Sequence, residues 1–255
     1  MFFSPIGGGV DVDAQAFITA AAITNGTQQN AINQLVLDLK AYGLWSKMKA
    51  IYPIVGGTAF SHKFNLKDPR DLDVAFRLTF SNGFTHTATG MSGNGIGYAS
   101  THLSPFLNLT LNNTHLSNYC RTNTAGNIVD IGANDTVTSY LLYQRFSNLF
   151  VSDCYNGSTN RNTIANTDSR GFYLSSRTSA NMLKMYKNNS TLVTSTTTQT
   201  SAMPNAVVFL ASMSGVYLSN REYAFFTIGN GLNDIEQSNL YSAIQNFQTT
   251  LGRQI

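Results

Sequence analysis

The groups in this 255-residue chain that can do chemistry are a few carboxylates, four imidazoles and many amide- and hydroxyl-bearing loops. Glycosidic hydrolysis needs two carboxyls about 5–10 Å apart across a sugar ring. On a strand, two residues must be spaced two apart to face the same side. Asp130, Asp135 and Asp153 have no carboxyl at that spacing, and the only glutamates are Glu222 and Glu236. Glu222 heads a strand-like run alone. Glu236 lies three residues after Asn233, the spacing of a helix capping box. His62, His86, His102 and His115 lie outside any Gly-x-Ser-x-Gly context and show no i, i+4 zinc-type spacing. These patterns disfavour an enzyme.

Binding chemistry is better represented. Asn, Ser and Thr supply 79 residues while charged residues make up only 11%, so the surface is rich in the donors and acceptors that match sugar hydroxyls. The segment from Asp153 to Asn162 is the leading ligand loop. In it Tyr155 can stack on an apolar sugar face, and Asn156 and Asn160 can make bidentate contacts with hydroxyls. A second candidate is the loop Gly90–Tyr98, where Gly93, Gly95 and Gly97 lead to Tyr98. No Lys follows those glycines and no helix starts there, so they are not a phosphate cradle.

The elements that must position these groups fall into three zones. Up to about Gly57 the pattern is helical: Val12–Ile23, then a stripe of Ala31, Ile32, Leu35, Val36 and Leu39 with Thr27 as N-cap and Gly43 as stop, then Leu44–Ile51. Trp45 is expected to bury against the rest of the molecule. From about Thr58 to Ile228, short alternating runs such as Phe60–Leu66, Val74–Phe80, Ser139–Phe146 and Gly171–Arg177 are separated by turn residues. A final stripe of Leu240, Ile244, Phe247 and Leu251 predicts a helix from Asn233 to Leu251, closed by Gly252. The expected fold class is mainly β, an antiparallel two-sheet jelly-roll sandwich with N-terminal helices and a C-terminal helix. The expected division is residues 1–57 and 58–255.

The totals narrow the function further. Net charge is +3 and the basic residues are scattered singly, which gives little support to phosphate tracking along nucleic acid. No apolar run is long enough for a membrane span, and Met1-Phe2-Phe3 before Ser4-Pro5 does not read as a signal peptide. Cys120 and Cys154 are expected to be half-buried free thiols.

Two sets of motifs carry a resemblance. Gly171-Phe172-Tyr173-Leu174-Ser175-Ser176-Arg177, then Lys184-Met185-Tyr186-Lys187-Asn188-Asn189, resembles the strand and Tyr-x-Asn-Gly hairpin of concanavalin A-like (laminin G-like) lectin domains. Ala224 to Glu236 is similar to the last strand and helix start of that fold. Leu44 to Pro53, Lys67 to Asp73 and Leu251-Gly252-Arg253-Gln254 resemble a family of tailed-bacteriophage virion structural proteins. The resemblance implies a non-enzymatic virion surface protein, a capsid or tail decoration or fibre component. Its partners would be other virion proteins and host-surface glycans, and it would be a homo-oligomer attached through residues 1–57. It would be made in the host cytoplasm. The alternatives are a purely structural subunit-contact protein and a glycan-degrading hydrolase. Lectin-like sandwiches often hold calcium through hard oxygen ligands, which Asn134, Asp135 and Asp168 would supply here.

Overall fold

The computed structural model describes residues 9–157, 160–199 and 201–255, so the Met1–Pro5 reading lies outside the described residues. Two antiparallel sheets pack face to face. The first is eight-stranded. It runs β13 (Ser190–Ser195), β12 (Met182–Lys187), β11 (Gly171–Ser179), β6 (Thr114–Cys120), β15 (Glu222–Gly229), β4 (Met91–Ser92) and β3 (Thr85–His86), with β1 (Met48–Tyr52) also pairing with β15. The second is seven-stranded: β10 (Asn162–Ala165), β9 (Leu149–Cys154), β8 (Ser139–Phe146), β7 (Ile131–Asn134), β14 (Phe209–Leu210), β5 (Ala99–Ser100) and β2 (Thr79–Phe80). The mainly β sandwich expected from the sequence is the observed fold.

Alternation along the strands sorts side chains between two cores. Leu116, Tyr173, Met185, Phe226 and Ile228 point between the sheets, where they meet Ile131, Tyr140, Leu142 and Phe150. Tyr119, Phe172, Leu174 and Phe225 point the other way, onto helices α1 (Val12–Ala20), α2 (Gly26–Ala41) and α5 (Asp234–Thr250). The molecule is thus three layers deep, with the helices covering only the outer face of the first sheet. The expected capping box forms at α5: Asn233 accepts from the Glu236 amide and Glu236 accepts from the Asn233 amide, each at 3.0 Å. Short helices α3 (Ala59–His62) and α4 (Pro105–Asn108) sit in the connections.

Four local expectations are corrected. Asn25, not Thr27, caps α2, because its side chain reaches the Gln28 amide at 3.1 Å. Leu44–Ile51 is a single turn at Trp45–Lys47 followed by β1, since Met48–Tyr52 finds open backbone partners on β15. Phe60–Leu66 begins as α3, with Thr58 and Ser61 forming a capping box. Val74–Phe80 is broken by a turn at Asp73–Ala75 and a left-handed Phe76 (φ 60°), leaving only Thr79–Phe80 as strand. Trp45 is half-buried, with the Lys67 and Lys40 ammonium groups 4.3 and 5.5 Å from its ring.

The interior also holds charge. Arg221 donates to both Asp130 oxygens at 2.6 and 2.8 Å with both residues fully buried, and Tyr223 donates to the same carboxylate. Arg253 is buried without a carboxylate partner among the described residues. It donates to the carbonyls of Pro53, Ile54 and Ala224, and burial pushes its pKa down to about 9. Cys120 and Cys154 are free, and both are fully rather than half buried.

Candidate functional site

The leading ligand loop turns inward. Tyr155 is fully buried, and its ring stacks on Tyr140 at 5.1 Å. Asn156, 2% exposed, accepts from the buried Arg177 guanidinium. Asp153 lies under Arg161, accepts from the Asn156 amide at 2.9 Å, and has its pKa raised by burial despite the Arg161 charge. Asn160 is exposed, and Ser158 and Thr159 lie outside the described residues. The physical reason is the left-handed turn at Tyr155 (φ 70°), which drops the ring into the core instead of presenting it to solvent. The segment closes one end of the sandwich and offers no aromatic platform.

The expected calcium ligands are also committed elsewhere. Asp135 Oδ1 accepts from the Val137 and Thr138 amides and Oδ2 from the Asn205 amide. Burial raises this carboxyl, but those backbone bonds more than offset it and hold the pKa below the ordinary value. Asn134 closes the same turn through Thr136, Thr138 and Ser139. Asp168 is held at about 2 by the hydrogen-bonded Arg170 guanidinium. Its bonding partners are not those of Asp135. Among the described residues no group of three or more His, Cys, Asp or Glu is placed to hold a metal ion. These residues do not fit a calcium site.

Tyr98 is placed differently. The register lines up one cross-strand row on the outer face of the second sheet: Asp153, Leu141, Gly132, Phe209, Ser100 and Thr79. Directly opposed residues share a face. Their chain neighbours Cys154, Leu142, Ile131, Leu210 and Ala99 all belong to the inter-sheet core, so this row faces away from it. Over β7–β9 the face is covered, because Met213 packs on Val129, Leu141, Tyr143 and Val151. Gly132 permits that packing, since a Cβ there would lie 2.8 Å from Leu141 Cβ.

Toward β14, β5 and β2 the same face is open. Half-buried Tyr98 meets half-buried Phe209 edge-to-face at 5.2 Å. Ser100 and exposed Thr79 continue the surface. Gly215, where a Cβ would be 3.6 Å from Tyr98 Cε1, brings the Met213 loop alongside, and Ser214 of that loop donates to the Asn134 carbonyl at 3.0 Å. Tyr98 therefore neighbours the Asn134–Asp135 turn. Asp153 shares the row but is sealed.

The open face runs into a pocket. Thr79 Oγ1 lies 2.8 Å from His102 Nε2, and His102 lines a pocket of about 390 Å³ with Asp73, Val74, Phe76, Leu107 and Asn108. Phe76 and His102 both hold left-handed backbone, at φ 60° and 57°. Such backbone costs about 1–3 kcal/mol per non-glycine residue and clusters at functional sites. Tyr52 fixes Phe76 by donating to its carbonyl at 2.6 Å. The hydrogen-bonded Arg77 guanidinium keeps Asp73 ionised, its pKa below the usual value. Sequence patterns miss this pocket. Its residues come from two turns, and the only signal was the polar alternation around Thr79.

The arrangement offers an aromatic edge, hydroxyls and a shallow half-apolar pocket, the chemistry of a saccharide platform. It has no pair of free carboxyls. Among the described residues Asp73 is the only carboxylate lining the pocket, and Asp135 and Asp153 are engaged.

No protein-family model matches this chain, and no curated protein matches it. Solved structures share its fold. Domain 4 of an extracellular arabinanase of Geobacillus stearothermophilus, in complex with arabinotriose, is similar at TM-score 0.51 and 12% identity over 76% of this chain and 98% of that one. The binding domain of botulinum neurotoxin DC, in complex with rat synaptotagmin II, is similar at TM-score 0.55 and 10% identity over 79% and 52%. Botulinum neurotoxin type C, whose cell entry depends on interaction with two ganglioside molecules, gives 0.54 and 10% over 80% and 53%. This chain spans about half the length of the toxin chains. The class defined by fold and comparison is a two-sheet antiparallel β-sandwich.

Proposed function

We propose that this chain is a non-enzymatic glycan-binding sandwich, displayed on the surface of a tailed-phage particle as a decoration or fibre component. The observation that carries the binding half is the open outer face of the second sheet, where Tyr98 and Phe209 adjoin hydroxyls and a pocket of about 390 Å³. The long helices α1, α2 and α5 occupy the opposite side, and in this reading they meet the particle and leave this face free. The arabinanase domain bound to arabinotriose and the ganglioside-dependent toxin are in keeping with a saccharide ligand. The absence of two free carboxyls across this face argues against hydrolysis.

The virion half is supported by the sequence resemblance. Its motif segments meet in space, because Arg253 of the C-terminal motif donates to Pro53 at the end of the first. A homo-oligomer is supported by the edge strand β13, which ends its sheet and lies in a run without any charged residue from Asn188 to Asn220. Edge strands are usually guarded by charge or proline.

Glycan-array screening followed by calorimetry tests the binding. Parent protein should bind a neutral saccharide with a dissociation constant near or below millimolar, and Tyr98→Ala should weaken it by about tenfold, the size of one lost aromatic contact. Equal binding by parent and variant would remove the platform from the hypothesis.

A further inference from the structure

We infer that the pocket beside Thr79 takes a neutral N-acetylated hexosamine, with the acetamido group seated between Asn108 and the Val74–Leu107 shelf. This rests on the glycan-binding reading above and narrows it to one class of sugar.

The first observation is the polar inventory. Asn108 Oδ1 accepts from the Ser104 amide at 2.9 Å, which fixes the side chain and leaves Nδ2 as a donor without a partner among the described residues. His102 Nε2 faces Thr79 Oγ1 at 2.8 Å and Asp73 Oδ1 at 3.5 Å. The carboxylate favours the proton on Nε2, so Nδ1 is an open acceptor. Asp73 Oδ1 takes the Arg77 guanidinium at 2.8 Å, leaving Oδ2 open as a second acceptor. The pocket thus offers one amide donor and two acceptors. An acetamide needs one donor for its C=O and one acceptor for its N–H, and a ring hydroxyl uses the remaining acceptor.

The second observation is apolar. Val74 is 74% exposed and Leu107 72%, on either side of a half-buried Phe76. Side chains this exposed, in a pocket bounded by fixed polar atoms, leave room for a methyl group. A methyl group there covers exposed apolar surface, which a bare hydroxyl does not.

The third observation is charge. Asp73 lines the pocket and is ion-paired with Arg77 through Oδ1, which leaves Oδ2 as an acceptor. An acceptor-only sugar carboxylate or sulfate finds no donor in that oxygen, so sialylated and sulfated sugars are disfavoured.

The experiment is isothermal titration of the full chain with N-acetylglucosamine and N-acetylgalactosamine against glucose, galactose, lactose and sialyllactose. One amide hydrogen bond and one buried methyl together correspond to about tenfold in affinity. The N-acetylated sugars should bind at least about tenfold more tightly than the parent hexoses, and sialyllactose should not gain over lactose. Asn108→Asp keeps the Oδ1 acceptor for Ser104 but removes the donor. It should erase the N-acetyl preference while unfolding at the parent temperature. Val74→Ser, at an exposed position, should reduce the preference independently. If hexoses and N-acetylhexosamines bind equally, or Asn108→Asp retains the preference, the inference fails and glycan binding stands. If none of these saccharides binds while the array finds another ligand, the inference again fails alone. If nothing binds in either assay, both fail.

Discussion

Acidification should destabilise this protein well before its carboxylates titrate, because two histidines are buried neutral with their tautomers fixed. His115 is fully buried; its Nδ1–H donates to the Asn230 carbonyl, and Nε2 accepts from the Thr227 hydroxyl at 3.0 Å. Burial pushes its pKa from 6.5 to about 4. His62, 1% exposed, accepts from the Gly57 amide on Nε2 at 3.2 Å, so its proton sits on Nδ1 and points at His86 Nδ1, 3.0 Å away. Burial, with His86 and Arg253 nearby, pushes it to about 3. A second proton on His62 would have to oppose the Gly57 N–H. Both folded-state values lie below the unfolded one, so the unfolded chain takes up protons first and stability falls as pH drops through 6.5 toward 4 and 3. Between pH 7 and pH 5 each histidine accounts for about 2 kcal/mol, about 4 kcal/mol together. That is a large part of a typical total of about 5–15 kcal/mol. Asp153 works in the opposite direction, since burial raises its pKa. The assay is urea unfolding at pH 7, 6 and 5 for the parent, His62→Gln and His115→Gln. With a slope of about 3 kcal/mol per M, the parent midpoint should fall by about 1 M or more, and each variant should lose about half of that pH dependence. A parent midpoint unchanged from pH 7 to 5, or variants as pH-sensitive as the parent, would refute the reasoning.

Asp130→Ala should cost about 3–5 kcal/mol in the same unfolding assay, because it leaves the Arg221 guanidinium buried without its carboxylate; a loss below about 1 kcal/mol would show that the pair is not desolvated as described. Thr194→Lys places a charge on the exposed β13 edge and should lower the association state seen by sedimentation. An unchanged sedimentation profile of an oligomeric parent would remove that edge as the contact.

The sequence showed the sandwich because alternation on the long strands is strong: β8 and β11 each carry side chains for two different cores. It showed the C-terminal helix because Asn233 and Glu236 are a local signal, completed within one turn. It read Tyr155 and Asn156 as solvent-facing because turns carry little periodic information. Nothing in Asp153–Asn156 announces that Tyr155 adopts φ 70° and turns its ring inward, or that Asn156 is taken by Arg177 from another strand. The pocket at Asp73–Phe76 was hidden for the same reason, since a left-handed Phe76 interrupts what reads as a continuous strand. Tyr98 was legible as an aromatic after a glycine-rich run. Its partner Phe209 was not, because that pairing depends on a register across β14 and β5 that joins residues 109 positions apart. The resemblance motifs also mark structure more than chemistry. Arg253 of the C-terminal motif holds the chain just after the first strand by donating to the Pro53 carbonyl.

The central claim is that the free face of the second sheet binds saccharide. It is tested most directly by titrating labelled protein with the array-selected glycan and following amide and aromatic NMR signals. The account predicts saturable shifts at Thr79, Tyr98, Ser100, His102 and Phe209, with α2 and α5 unmoved. Saturable shifts confined to the helices, or to the Asn160 end of the sandwich, would contradict it.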